Sequence, residues 1–218
     1  MNNIIIAVDG PSASGKSTVS KGLARKLGYN YADSGALYRA ITWYILDCRI
    51  DPNNNAAVIK SLDDIKMQFN VLNGVVNFLL NNRSLTSEIR AESINKYVSI
   101  VSAVPEVREL VVKWLRSMAD CGNLVMEGRD IGTVVFPNAY KKFYLDASSE
   151  ERAKRRHNEN VPQSESMSVK EVKESLSNRD KLDSSRKIAP LRIASDAKVI
   201  DTTSMDIDQV VDKIASLL

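Results

Sequence analysis

The sequence predicts an α/β protein built on a doubly wound, mostly parallel sheet. Three observations carry this expectation. Apolar, β-branched runs such as IIIAV (4–8) read as strands covered on both faces, as in parallel sheets. Strand-like and helix-like stretches alternate along most of the chain. The run GPSASGKST (10–18) follows that first strand and precedes a helical pattern, so strand, glycine loop and helix form one unit.

The elements follow in order. After the loop, Val19, Leu23, Ala24 and Leu27 recur at helical spacing, and Gly28 ends the helix as a cap. YNYADSGALYRAITWYIL gives a short strand ending at Asp33 and a second helix. IKMQFNVLNGVVNFLLNN alternates on both sides of Asn73-Gly74, which signals a hairpin. A hairpin amid α/β units reads as an inserted lobe. AESINKYVSIVSAV is a helix, and another opens at Pro105 and closes at Gly122. LVMEG and KKFYLDA return to the core as strands. SSEERAKRRHNE opens a helix with a Ser148–Glu151 capping box. Residues 158–168 are polar and read as a mobile loop. A polar helix then runs to about Leu182, KVIDTT is the last strand and DIDQVVDKIASLL the last helix. The order is thus α/β, interrupted near 34–103 and 151–187.

A chain of 218 residues can bury one sizeable core with insertions, and 44% hydrophobic and 26% charged residues are ordinary for a globular protein. Cys48 and Cys121 stand far apart without a partner motif. They exclude a disulfide framework and a zinc cluster, and they suit a reducing compartment. The N-terminus has no basic region before its short apolar run, and no run approaches a membrane span. The expectation is a cytoplasmic protein without a membrane partner. A net charge of +3 gives no case for a nucleic-acid partner but suits a cleft for small polyanions.

The loop carries the clearest chemistry. Gly10 and Gly15 let the backbone of Pro11, Ser12, Ala13 and Ser14 turn tightly and aim N–H groups at phosphates. The helix that follows points its positive end at the same anion. Lys16 adds a charge, the Ser17 hydroxyl is placed to coordinate Mg²⁺, and Thr18 offers a further hydroxyl. The implied ligand is a nucleoside triphosphate, ATP above all. A guanine-reading Asn-Lys-x-Asp is missing, because NKYV (95–98) lacks the aspartate.

A second anion site has candidates of its own. Ser34 and Gly35 open a helix at a strand end, with Arg39 a turn and a half further on. An ordinary capped helix with a solvated arginine reads equally well. Arg129 and Asp130 of EGRD also follow a strand and would lie at the same rim. Arg152, Arg155 and Arg156 share one helical face and could close over phosphates, or form a solvated face paired with Glu151. Arg179, Asp183 and Arg186 share another face. His157 is the only histidine, so a histidine base rests on that one residue. An acceptor that is itself a phosphate is already anionic near pH 7 and needs no base.

Taken together, GPSASGKST, DSGALYR, SEIR (87–90), EGRDIGTVVFP, LDASSEERAKRR and RD…R…APL (179–191) resemble bacterial cytidylate kinases, in order and along essentially the whole chain. The resemblance implies transfer of the γ-phosphoryl group of ATP to CMP or dCMP, with Mg²⁺; a monomer is the default expectation. It implies a core of 1–33, 104–150 and 188–218, a monophosphate-binding lobe of 34–103 with a small sheet, and a helical lid of 151–187. Ser34, Arg39, Arg129 and Arg186 would hold the CMP phosphate. Ser99, Arg108 and Asp130 would surround cytosine, whose amino group Asp130 can accept while repelling the uracil oxygen. Arg179 and Asp183 would contact the sugar, and Arg152, Arg155 and Arg156 the transferring phosphate. Glu127 stands where the family often has aspartate. Two other readings stay open on the residues alone: a P-loop kinase acting on a hydroxyl such as that of shikimate, and a nucleotide-switched binding module.

Overall fold

Strand β1 (Ile5–Asp9) shows why the sheet is covered on both sides. Its side chains alternate, so Ile5 and Ala7 enter one core while Ile6 and Val8 enter the other. The computed structural model describes residues 3–160 and 168–218. In chain order come α1 (Lys16–Leu27), β2 (Asn30–Asp33), α2 (Ser34–Asp47), α3 (Asn55–Ser61), β3 (Met67–Leu72), β4 (Val75–Leu80) and β5 (Arg83–Ser84). Then follow α4 (Glu92–Val101), α5 (Pro105–Ser117), β6 (Leu124–Gly128), β7 (Lys141–Asp146), α6 (Ser149–Asn160), α7 (Val169–Ser185), β8 (Lys198–Asp201) and α8 (Ile207–Ala215).

The sheet order is β3-β4-β2-β6-β1-β7-β8, with β5 beside β4. The pairs β2–β6, β6–β1, β1–β7 and β7–β8 are all parallel. On one face α2, α4 and α5 contribute Leu37, Ile41, Val101, Val107 and Leu115. On the other, α1 and α8 contribute Val19, Leu23, Val210 and Ile214. This is the doubly wound α/β architecture that the apolar runs predict.

The hairpin forms about Asn73 and Gly74, both at positive φ (53° and 71°), as its turn requires. It is not a free-standing small sheet, however. Tyr31 N donates to Gly74 O at 2.8 Å and Tyr31 pairs with Val75, so β4 joins the edge of the main sheet. Two further expectations are adjusted. Helix α6 runs on to Asn160, three residues into the stretch read as loop, and 161–167 lie outside the described residues. The Ser148–Glu151 box is half formed: Ser148 Oγ accepts from Glu151 N at 3.2 Å, while the Glu151 carboxylate turns to Arg155. Among the described residues no helix is long and apolar enough to cross a membrane.

Candidate active site

The C-terminal ends of β1, β6 and β2 lie side by side, with Asp9 opposite Gly128 and Glu127 opposite Asp33. A cleft of about 350 Å³ opens there. Ser12, Ala13, Ser14, Gly15, Lys16, Ser17 and Thr18 line it from the loop side, whereas Gly10 and Pro11, expected at the phosphates, are not among the lining residues. Gly10 sits at φ 152°, and a Cβ there would lie 2.1 Å from the Leu145 carbonyl oxygen, so only glycine fits. Gly15, at φ 88°, caps α1 without a side chain, which leaves the first-turn N–H groups to the cleft.

Lys16 is buried and its Nζ turns back on its own loop, donating to Pro11 O and to Ser14 Oγ at 3.2 Å. Burial, and after it the charge of Arg129, pushes its ammonium down to about 7, against the pull of Glu127 and Asp9. Glu127 is also buried. Burial and the Asp33 carboxylate raise it, while Lys16 and the hydroxyls of Ser17 and Tyr31 hold it down in part. Tyr31 Oη donates to Glu127 Oε1 at 2.6 Å. The longer carboxylate at this position is thus bonded to Tyr31, with the Ser17 hydroxyl close enough to help hold its charge.

Across the cleft Asp33 caps α2 by accepting from Ala36 N at 3.2 Å. Ser34 is buried beside Gly128, where a Cβ would approach Ser34 Oγ to 2.5 Å. Arg39 Nη1 donates to Asn95 Oδ1 at 2.7 Å. Asp183 is shared: Arg129 Nε donates to Oδ2 at 3.0 Å and Arg186 Nη2 to Oδ1. Burial, then the charges of Arg129 and Arg39, brings Arg179 down to about 9, and its Nε has no partner among the described residues. Arg39 is lowered by burial and by Arg156, Arg129 and Arg90, although Asp33 opposes this. Arginines that depress one another mark a pocket built for an anion.

At the far end Arg108 and Asp130 form a buried ion pair. Arg108 Nη1 also donates to Ser102 O at 3.1 Å, and its guanidinium lies 5.2 Å from the centre of the Tyr38 ring. Ser99 lines the same end. The structure thus brings Ser34, Arg39, Ser99, Arg108, Arg129, Asp130, Arg179, Asp183 and Arg186 to one cleft.

The three arginines of α6 part company. Arg156 lines the cleft, and it pairs with Glu159 at 3.2 Å. Arg155 is held by Glu151 (3.1 Å), Thr202 Oγ1 (3.1 Å) and Thr202 O (2.7 Å). Arg152 is held by Asp180, Ser12 O (3.1 Å) and Ala147 O (3.2 Å). His157 is not among the cleft residues.

Sequence reasoning missed Asp9, Lys21, Tyr38, Arg90 and Asp180. Asp9 accepts from Ile131 N and Gly132 N, both at 2.8 Å, and so anchors the turn that carries Arg129 and Asp130. Burial raises its carboxyl to about 6. Lys21, Tyr38 and Arg90 line the cleft. Tyr38, Arg90 and Asp180 stand inside quoted motifs, so the signal was present without a role attached.

A phosphate loop facing an arginine-lined pocket across one row of strand ends defines a P-loop phosphotransferase. The sequence matches the cytidylate kinase family over residues 6–218. It is 44% identical to a cytidylate kinase of Geobacillus kaustophilus over 99% of this chain and 96% of that protein. It is 41% identical to a cytidylate kinase of Lactiplantibacillus plantarum over 98% and 93%. The chain belongs to the cytidylate kinase family. A solved structure from Eubacterium ventriosum, described as an uncharacterized protein, shares the fold at a TM-score of 0.52 and 14% identity, over 98% of this chain and 97% of that one. The hydroxyl-directed kinase and the nucleotide switch gain nothing from these matches.

Proposed function

We propose that the cleft moves the γ-phosphoryl group of ATP to CMP or dCMP. The observation that carries this is the convergence of two cation-lined anion pockets with no histidine between them. The loop N–H groups and Lys16 hold the β- and γ-phosphates. Ser34, Arg39, Arg129 and Arg186 hold the acceptor phosphate, whose oxygen is largely ionised at neutral pH because its second pKa is near 6. That oxygen attacks the γ-phosphorus in line, the bond to the β-phosphate oxygen breaks, and ADP leaves with the electron pair. Arg129 and Arg156 neutralise the charge that spreads over the equatorial oxygens. Ser99, Arg108 and Asp130 read the base, and Arg179 and Asp183 meet the sugar.

The donor set also fits Mg²⁺. Mg²⁺ keeps waters and phosphate oxygens and asks little of the protein. Ser17 would be the direct ligand, and the buried Glu127 beside it would orient a water on the ion. When bound, the ion screens the phosphate charges. The remaining assignments are a core of 1–33, 104–150 and 188–218, a monophosphate lobe of 34–103 and a lid of 151–187 in a monomer. The two free cysteines fit a cytoplasmic setting.

The test is an ADP-release assay with each nucleoside monophosphate. We expect fast turnover with CMP and dCMP, less with UMP and little with AMP or GMP. Arg129→Ala should lose about 10³-fold or more, the scale of a transition-state arginine. Equal ADP release in every mixture, the one without acceptor included, would overturn the assignment.

A further inference from the structure

Ser12 is held on both of its peptide units by side chains from α6 and α7. Its N–H donates to Asp180 Oδ1 at 3.1 Å, and its carbonyl accepts from Arg152 Nη1 at 3.1 Å. The same Arg152 nitrogen is paired with Asp180 Oδ2, which closes a ring through one residue of the phosphate loop. Both side chains are largely buried, at 13% and 17% exposure, so water competes little for these bonds. Neither Asp180 nor Arg152 lines the cleft, so the ring grips the loop from outside the nucleotide space.

A second contact lies one residue on. Ala13 is at φ 60°, a left-handed conformation that costs a non-glycine residue of the order of 1 kcal/mol or more and persists only where the surroundings enforce it. Its methyl packs on Ala153, Val172 and Leu176, the small apolar cluster that joins α6 to α7. Polar and apolar contacts from the same helix pair therefore fix two consecutive residues whose other side faces the phosphates.

We propose that Asp180 is a positioning residue for the nucleotide loop, tying Ser12 and Arg152 together so that docking of the α6–α7 pair sets the loop in its triphosphate-binding shape. A loop already ordered loses less freedom when its ligand arrives, so the ring favours ATP without touching it. The acceptor pocket also takes Arg179, Asp183 and Arg186 from α7 and its end, but the Arg152–Asp180 ring bonds only to Ser12 of the donor loop, so the acceptor nucleotide gains nothing directly from it. The inference rests on the loop holding ATP.

The experiment is calorimetric titration of the full chain with the imido analogue of ATP plus Mg²⁺, and separately with CMP. Asp180→Asn keeps the shape and one acceptor but turns an N–H₂ group towards Arg152. We expect the analogue to bind at least tenfold more weakly, CMP affinity to stay within twofold, and the melting temperature to stay close to the parent's. Ala13→Gly removes the methyl and the backbone constraint with no burial of a new group, and should weaken the analogue severalfold with the same selectivity. Unchanged or tighter analogue binding in both variants overturns the inference, as does an equal loss for CMP. A parent protein that does not bind the analogue removes the ATP assignment itself, and the inference with it.

Discussion

At the scale of single residues, Lys16 has the most measurable consequence. Its ammonium is brought from the ordinary lysine range down to about 7 by burial and by Arg129. Between that value and about 10.4 the unfolded chain carries more protons at this group than the folded one. Stability from Lys16 is therefore lowest below pH 7 and recovers as pH rises towards the unfolded value. A bound triphosphate reverses the bias, because anions favour the charged form. At pH 8, where ATP is fully ionised, we expect binding to take up close to one proton, read from calorimetry in buffers of different ionisation enthalpy. Lys16→Met should abolish the uptake, and its survival in that variant would place the proton elsewhere. Asp9 shows the limit of reading residues from sequence. It looks like the end of a strand, and its two N–H partners stand more than 120 positions away.

At the scale of elements, strands and helix starts were legible because local chemistry dictates them. Asn73-Gly74 makes its turn, Pro105 opens α5, and Gly28 caps α1 at φ 67°. What was not legible depends on remote partners. The edge pairing of β4 with β2 needs Tyr31, and the wide helical turn at Ile131–Val135 needs the Asp9 carboxylate that holds its first N–H groups. The candidate site was legible as a set of residues, since most sit just past strand ends. It was not legible as a division of labour: nothing local separates Arg156, which lines the cleft, from Arg155, which holds Thr202. Gly128→Ala tests how β6 meets α2. The added Cβ would lie 2.5 Å from Ser34 Oγ and 2.7 Å from Ile131 Cδ1. We expect CMP binding to weaken at least tenfold, about 1.4 kcal/mol, while binding of the ATP analogue changes little. Equal weakening of both ligands would mean that the strain spreads across the sheet.

At the scale of the whole molecule, a net charge of +3 conceals a strong local imbalance. The cleft alone is lined by nine lysines and arginines against five carboxylates. Low-dielectric walls focus that field on entering anions, and salt screens it with a Debye length near 10 Å at 0.1 M. Raising KCl from 50 to 500 mM should therefore weaken CMP binding several times more than cytidine binding. Similar salt dependence for the two would show that the phosphate gains nothing from the field. The register of the sheet has one more consequence. The donor loop leaves β1 and the acceptor helix leaves β2, with β6 as the single strand between them. Two steps across a sheet measure roughly 10 Å, and backbone hydrogen bonds hold that interval fixed. The sheet acts as a ruler for the phosphoryl jump, so base preference can drift at α4 and α5 while the distance travelled stays the same.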